Sequence, residues 1–477
     1  ATFKTAVNTH TYTENGALTY SSSLNHCVDF FALGGSLRTR TDREILDLFN
    51  LAYNENAELA LRILFYIRDI RGGLGEKRTF RVIAKHFLNQ NLECLKTLGD
   101  ATVEFGSWKD LVDICSDEQL AVLVKRELTN RVGNDKIKAS LMEKWLPSIG
   151  GGQNKRAESI ARHLGLTPKQ YRKWLSKARA EIKVVEQKMC ANQWSEIDYE
   201  HVPSKAMHLY SRTFSNHDGE RFSQFINDVN KGEKKINTST LMPYEIVRQI
   251  LNGEVRANDP ATVAMWNNLP NYNVDGNSIV VCDTSGSMFS DNNLPISISL
   301  SLAIYFAERN VGKFKNQMIT FSSDPQFFEL SDGNIFSKVY NARNADWGMT
   351  TNLQGVFDLM LNACVNDHVP AEEMPKNIYI VSDMEFNSCV RGMTNYENIK
   401  QRYERAGYEL PNIIFWNVNS RQNNVPVRFD TPHVACISGA NPSVFKLALS
   451  GEINPVKFME DAVMVERYDI AKKFVQV

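Results

Sequence analysis

No stretch of about 18 or more apolar residues occurs in the 477-residue sequence, so no membrane-spanning helix is expected. A basic segment followed by an apolar one is also lacking at the start. Ala1 to Gly16 is polar and rich in threonine, and does not read as a signal peptide. The cysteines, Cys27, Cys94, Cys115, Cys190, Cys282, Cys364, Cys389 and Cys436, form no C-x-x-C pair. That excludes a zinc ribbon and a thioredoxin-like motif. Several lie in apolar runs, as Cys282 does after Ile279-Val280-Val281, and read as reduced, mostly buried thiols of an intracellular protein. An excess of either charge is missing too: 54 Lys and Arg meet 55 Asp and Glu. What remains is 43% hydrophobic and 23% charged, a soluble globular composition rather than a disordered tail, a collagen or a coiled-coil rod. At about 100–200 residues per domain, the length implies two to four domains.

The near-zero charge hides an asymmetry. Residues 1–250 carry 36 basic and 30 acidic side chains, a net of +6, and residues 251–477 carry 18 and 25, a net of -7. The patterning changes at about the same place. Helical periodicity predicts helices from Asp42, capped by Thr41, and over Ala57–Ile70, Phe80–Phe87, Asp110–Leu128, Ser140–Trp145, Glu158–His163, Pro168–Met189 and Pro243–Leu251. Short joints marked by Gly or Pro suggest a helical-repeat-like array, although no fixed period emerges. After Pro270 and the turn-rich Asn271–Asn277, short apolar runs appear at Ser278–Cys282, Gln317–Phe321, Asn377–Val381, Asn412–Val418 and His433–Ile437. Helix patterns at Pro295–Arg309, Leu353–Asn362, Asn395–Ala406 and Pro442–Leu449 alternate with them. Such alternation predicts βαβ units and a doubly wound, Rossmann-like sheet. The expected architecture is therefore multidomain α and α/β, with residues 1–266 helical and residues 267–477 α/β.

Ligand sites in open α/β sheets form beyond the carboxyl ends of strands. The first apolar run ends in Asp283-Thr284-Ser285-Gly286-Ser287. A carboxylate and two hydroxyls in one tight loop are hard oxygen ligands, suited to Mg²⁺ or Mn²⁺. Thr350-Thr351-Asn352-Leu353 offers a further oxygen before a helix, and Asp383 follows the run Ile378–Val381. This D-x-S-x-S, T-x-L and strand-end Asp set resembles the metal-ion-dependent adhesion site of von Willebrand factor A domains. The resemblance spans about Asn271–Leu449. It implies that Ser285, Ser287 and Thr351 are direct ligands and that Asp283 and Asp383 act mostly through water. Gly348-Met349-Thr350-Thr351 departs from the usual G-G-T, which leaves Thr350 as an alternative to Thr351. Such a site keeps one coordination position for a partner's Asp or Glu. No nucleophile with an adjacent base is visible, and Glu385 reads more readily as a solvated or partner-facing loop residue than as a general base.

Between Lys125 and Lys188 the helical half holds 16 basic and 6 acidic residues. Lys155, Arg156, Arg162, Lys169, Arg172, Lys173, Lys177, Arg179, Lys183 and Lys188 interleave with Tyr171 and Trp174. Bases for phosphate and aromatics for stacking make structured or single-stranded RNA a fair partner. A solvated basic helix with Trp174 in the core accounts for the same residues equally well. The Arg68-Asp69-Ile70-Arg71-Gly72-Gly73-Leu74-Gly75-Glu76-Lys77-Arg78 run is not a phosphate-binding loop, because the G-x-x-x-x-G-K-[ST] spacing fails. It resembles the R-D-x-R-G-G-x-G-E-R segment of TROVE (Ro-like) proteins, and Phe105-Gly106-Ser107-Trp108-Lys109-Asp110 resembles a second segment of that group. Those proteins join a helical ring to a von Willebrand A domain in this order. The likeness is to a branch with TROVE-like helices found in bacteria, plants and large phages. RNA contacts from Arg71 and Arg78 are what the resemblance implies. A capped inter-helix turn with a structural Arg–Asp pair is the alternative for that segment.

Together these readings give a non-catalytic scaffold: helices that bind RNA, and a sheet domain that takes a protein partner's acidic residue on a divalent metal. The alternative is a structural or assembly protein, virion- or complex-associated, using the metal for protein contacts alone. No membrane partner is expected. The location expected is cytoplasmic, or virion-associated if the source is viral.

Overall fold

The computed structural model describes residues 9–90, 92–132, 139–182, 184–272, 278–321, 324–343, 351–366, 368, 370–388, 393–447 and 453–475. Two short strands, β1 (His10–Tyr12) and β2 (Leu18–Tyr20), form an antiparallel hairpin. Helices then follow one another to Asn267. The second half is built on a six-stranded sheet of β3 (Ser278–Asp283), β4 (Gln317–Phe321), β5 (Phe327–Glu329), β6 (Asn377–Ser382), β7 (Asn412–Asn417) and β8 (Val434–Ser438). Its order is β5-β4-β3-β6-β7-β8, parallel except for the antiparallel edge strand β5. The expected linker at residues 273–277 lies outside the described residues.

Alternation along the strands explains why they read as unbroken apolar runs. Ile279 and Val281 of β3, with Ile378, Ile380, Ile413 and Phe415, pack on the helices Leu353–Asn366 and Asn395–Ala406. Val280 and Cys282, with Tyr379, Val381, Ile414 and Trp416, face the other way, onto the helix that ends at Arg309. Successive side chains point to opposite faces, so a strand covered on both sides must be apolar throughout. The second of these cores runs on without a break into the helical half. The helix before Arg309 begins irregularly: Asp291, Asn292 and Asn293 hold positive φ, and Arg248 donates to the carbonyls of Asp291 and Asn292.

Local signals account for most helix ends. Thr41 and Glu44 cap each other's backbone, Asn56 caps Ala57–Arg68, and Thr167 with Gln170 caps Pro168–Glu181. Three expected helices differ. The one expected over Asp110–Leu128 is two, Trp108–Ile114 and Asp117–Val132. Ser116 and Gln119 form reciprocal caps that start a new helix there. The one expected over Pro168–Met189 likewise divides into Pro168–Glu181 and Val185–Cys190. Pro442–Lys446 is a 3₁₀ turn rather than an α-helix. Among the described cysteines none is bridged; Cys190 is exposed and the rest are buried.

The Arg68–Arg78 segment is a structural hub. Arg68, 1% exposed, sends Nε and Nη2 to Asp110 Oδ2 at 3.1 and 2.7 Å, and Asp110 is fully buried. Arg81 reaches the other oxygen of Asp110 at 2.7 Å. Asp69 binds Arg467 Nη2 at 2.9 Å and Tyr468 Oη at 3.1 Å, close to the far end of the chain. Gly73 sits so tightly that a Cβ there would lie 2.0 Å from the Tyr66 carbonyl oxygen. Arg62, also buried, ion-pairs with Asp469 and donates to the carbonyls of Val463 and Val465. Removing one partner of a buried pair strands the other charge. Asp110→Ala is therefore expected to cost about 3–5 kcal/mol in denaturant unfolding. A loss within experimental error of zero would contradict this account of the hub.

Candidate metal centre

In the strand order, β3 pairs with β4 on one side and β6 on the other. The chain leaves β3 toward β4 and returns to β6 across it, so the crevice beyond β3 and β6 is a topological switch point. Asp283 ends β3 and Asp383 follows β6, and both are essentially buried. Asp283 Oδ1 accepts the Ser285 N–H at 2.8 Å, and its other oxygen accepts the Ser382 hydroxyl. The Ser285 and Ser287 hydroxyls lie 3.1 Å apart. Burial, and then repulsion from Asp383, push the Asp283 carboxyl up to about 7, against the pull of the Ser382 and Ser285 hydrogen bonds. The donors gathered here are two carboxylates and two serine hydroxyls, all hard oxygens. Among the described residues no cluster of three or more His, Cys, Asp or Glu side chains suits a metal.

Thr351 is fully buried at the start of the helix Leu353–Asn366. Its hydroxyl lies 3.1 Å from both the Glu385 carbonyl and the Asn387 side-chain oxygen, in the loop that leaves β6. Thr350 lies outside the described residues. Glu385 is neither solvated nor loose. It is 1% exposed, with Oε1 accepting from Asn424 at 3.1 Å and Oε2 from the Glu14 N–H at 2.6 Å. Burial raises its carboxyl, an effect the Glu14 N–H opposes. Three further residues belong to the crevice. Ser382 holds Asp283. Arg421, in the loop after β7, places Nη2 3.1 Å from Asp383 Oδ2 and Nη1 2.6 Å from Glu14. Glu14 sits at the tip of the β1–β2 hairpin. The visible signals for them are a hydroxyl beside the strand-end Asp, a third strand end at Asn417, and the Asn15-Gly16 hairpin dipeptide.

In the helical half the expected RNA contacts divide into two sets. Lys155, Arg162, Lys169, Arg172, Lys173 and Lys177 are exposed along the helices Asn154–Leu164 and Pro168–Glu181. Arg156 is tied to Asp117 and to the Cys115 carbonyl. Arg179 donates to the carbonyls of Glu143 and Leu146 and to Ser148. Arg78 is tied to Asp42 and the Leu37 carbonyl, and exposed Arg71 to the Glu104 carbonyl. Lys183 lies outside the described residues. Tyr171 is fully buried, its hydroxyl on the Pro147 carbonyl, and Trp174 packs edge-on against it. An exposed aromatic nearby is Trp145, with the ammonium groups of Lys109 and Lys144 each 5.5 Å from its ring centre. It borders a cleft of about 980 Å³ that Arg179 and Ser148 also line.

Two family models match the chain. One, described as a domain of unknown function (DUF2828), matches residues 13–130 and 152–269. The other, a domain of unknown function (DUF7788), matches residues 277–473. The chain is 29% identical over 500 residues to uncharacterized protein L728 of Acanthamoeba polyphaga mimivirus, covering 94% of this chain and 86% of the relative. The crystal structure of the Deinococcus radiodurans Ro (RSR) protein aligns over 95% of this chain and all of its own, at a TM-score of 0.37 and 12% identity. No helix among the described residues is long and apolar enough to cross a membrane.

The raised Asp283 carboxyl has a signed consequence. From about pH 4 to about pH 7 the folded chain holds a proton that the unfolded chain has lost. This group's contribution to stability is thus present below that window and lost as pH rises through it. Urea unfolding in chelator should show stability falling across that range, and Asp283→Asn should flatten the fall. An equally steep fall in the variant would refute the assignment.

Proposed function

We propose that this chain is a non-catalytic binding protein whose sheet half holds Mg²⁺ or Mn²⁺ and uses it to take up an acidic side chain of a protein partner. The observation that carries the reading is the buried Asp283–Asp383 pair at the switch point, with Ser285 and Ser287 beside it. Two like charges out of water are costly, and a divalent cation relieves that cost directly. Ser285, Ser287 and Thr351 would hold the ion, with Asp283 and Asp383 behind them. The ion would supply Lewis acidity toward a carboxylate. Ser382 and Arg421 orient and neutralise the two aspartates.

The helical half, on this reading, binds RNA. Support comes from the exposed bases of residues 155–177 and from Trp145 between two lysines, where a base could stack. The resemblance of Arg68–Arg78 and Phe105–Asp110 to TROVE segments points the same way. A second reading, protein assembly without RNA, draws on Arg156, Arg179 and Arg78 being spent on structural contacts.

Mg²⁺ is expected to raise the melting temperature of the full chain, by mass action on the folded state, and Asp283→Ala should abolish that rise. An equal rise in the variant would remove the metal reading. Binding of structured RNA at low salt should weaken at least tenfold in Arg172→Glu/Lys173→Glu, with a shallower salt slope. No RNA binding by the wild type at low salt would leave the assembly reading in its place.

A further inference from the structure

The N-terminal hairpin does not lie on the helical half that follows it in sequence. It lies on the sheet half, at the mouth of the crevice. Its turn closes through Thr13 N–H to the Ala17 carbonyl at 2.9 Å, with Gly16 at φ 81, where glycine carries no Cβ penalty. Gly16 pairs with Asn387 and Tyr20 with Val425, both antiparallel. Thr13 Oγ1 donates to the Phe386 carbonyl at 2.6 Å, and the Glu14 N–H to Glu385. Thr19 Oγ1 reaches the Val425 carbonyl at 3.0 Å, and the Arg428 guanidinium sits 4.0 Å from the centre of the Tyr20 ring. An isolated two-stranded hairpin is marginal in water, so these contacts are what hold it. They aim one side chain at the crevice. Glu14 reaches Arg421, and the same guanidinium reaches Asp383, so a single planar group separates the Glu14 carboxylate from a residue of the metal centre.

We propose that Glu14 is an acidic ligand supplied by the chain itself, occupying the position that a partner's carboxylate would take. This rests on the metal reading above. Arg421 bridges Glu14 and Asp383, and its guanidinium is the positive charge between the two carboxylates. When the ion is bound, the guanidinium gives way and the Glu14 carboxylate coordinates. The groove formed by residues 385–387 and 425 is then a recognition surface for an extended segment that pairs through its backbone and carries an acid at the Glu14 position. A protein partner must present that same chemistry and displace the hairpin. Selection lies in the backbone pairing, because a free carboxylate alone gains none of it. The half-exposed Glu14 side chain, 37% accessible, leaves the exchange open to solvent.

The test uses the full chain and Mn²⁺, followed by the loss of the free-ion electron paramagnetic resonance signal. Wild type should bind, and Asp283→Ala should lower affinity at least tenfold; this arm examines the metal reading alone. Arg421→Gln removes the competing guanidinium and should raise affinity. Adding Glu14→Gln to Arg421→Gln should then lower affinity at least fivefold. In parallel, Mg²⁺ should slow amide exchange over residues 13–20 at least fivefold in Arg421→Gln and not in the double variant. Affinities within twofold of one another in Arg421→Gln and the double variant, with unchanged circular dichroism melts, overturn the internal ligand and leave the metal reading standing. Absence of Mn²⁺ binding by wild type overturns both. If Arg421→Gln fails to fold, Glu14→Gln against wild type gives the same comparison with the same thresholds.

Discussion

A parallel sheet that is apolar on both faces cannot stand with one face wet, and the whole molecule follows from that constraint. Residues such as Ile279 and Val280 are neighbours in sequence yet belong to different cores. One core is closed locally, by the helices Leu353–Asn366 and Asn395–Ala406. The other is closed by the helix ending at Arg309 and, beyond it, by helices from the first half of the chain. The charge asymmetry along the sequence therefore lies over a buried apolar cluster to which both halves contribute.

The same constraint explains how polar groups are used where the halves meet. Buried arginines take part, one within the helical half and one reaching across to the other. Arg68 serves Asp110, and Arg62 serves Asp469 and two carbonyls. Pairs of this kind contribute little net stability compared with apolar replacements, yet breaking one leaves a buried charge without its partner. Asp69 receives Arg467 and Tyr468 in the same manner. At the opposite end the hairpin turn meets Glu385. Each half is thus clasped by the outlying segment of the other.

Periodicity and turn chemistry made the sheet legible, because strands buried on both sides leave unmistakable apolar runs. Gln317–Phe321 and Asn395–Ala406 lie where patterning places them. The Ser116 break was legible in principle as an S-x-x-Q cap, but a longer apolar period ran across it. The crevice was legible only in part. Asp283, Ser285 and Asp383 follow strands and announce themselves. Arg421 and Glu14 arrive from residues 38 and 369 positions away from Asp383, and no local pattern can report a meeting at that range. Basic residues were legible as charge and not as availability: whether an arginine is free depends on carbonyls such as those of Glu143 and Leu146, which carry no sequence signature.

The Arg62–Asp469 pair spans 407 positions of chain. Translation at about 5–20 residues per second puts on the order of half a minute between the synthesis of its two ends. Throughout that interval Arg62 has Glu58 of its own helix but not Asp469, and the helix Ala57–Arg68 lacks the cover that Tyr468 and Phe474 later provide. The first helices thus emerge from the ribosome with an exposed apolar flank and a guanidinium paired only within its own helix. Until Tyr468 and Phe474 are made, that flank is the kind of transient apolar surface that invites aggregation.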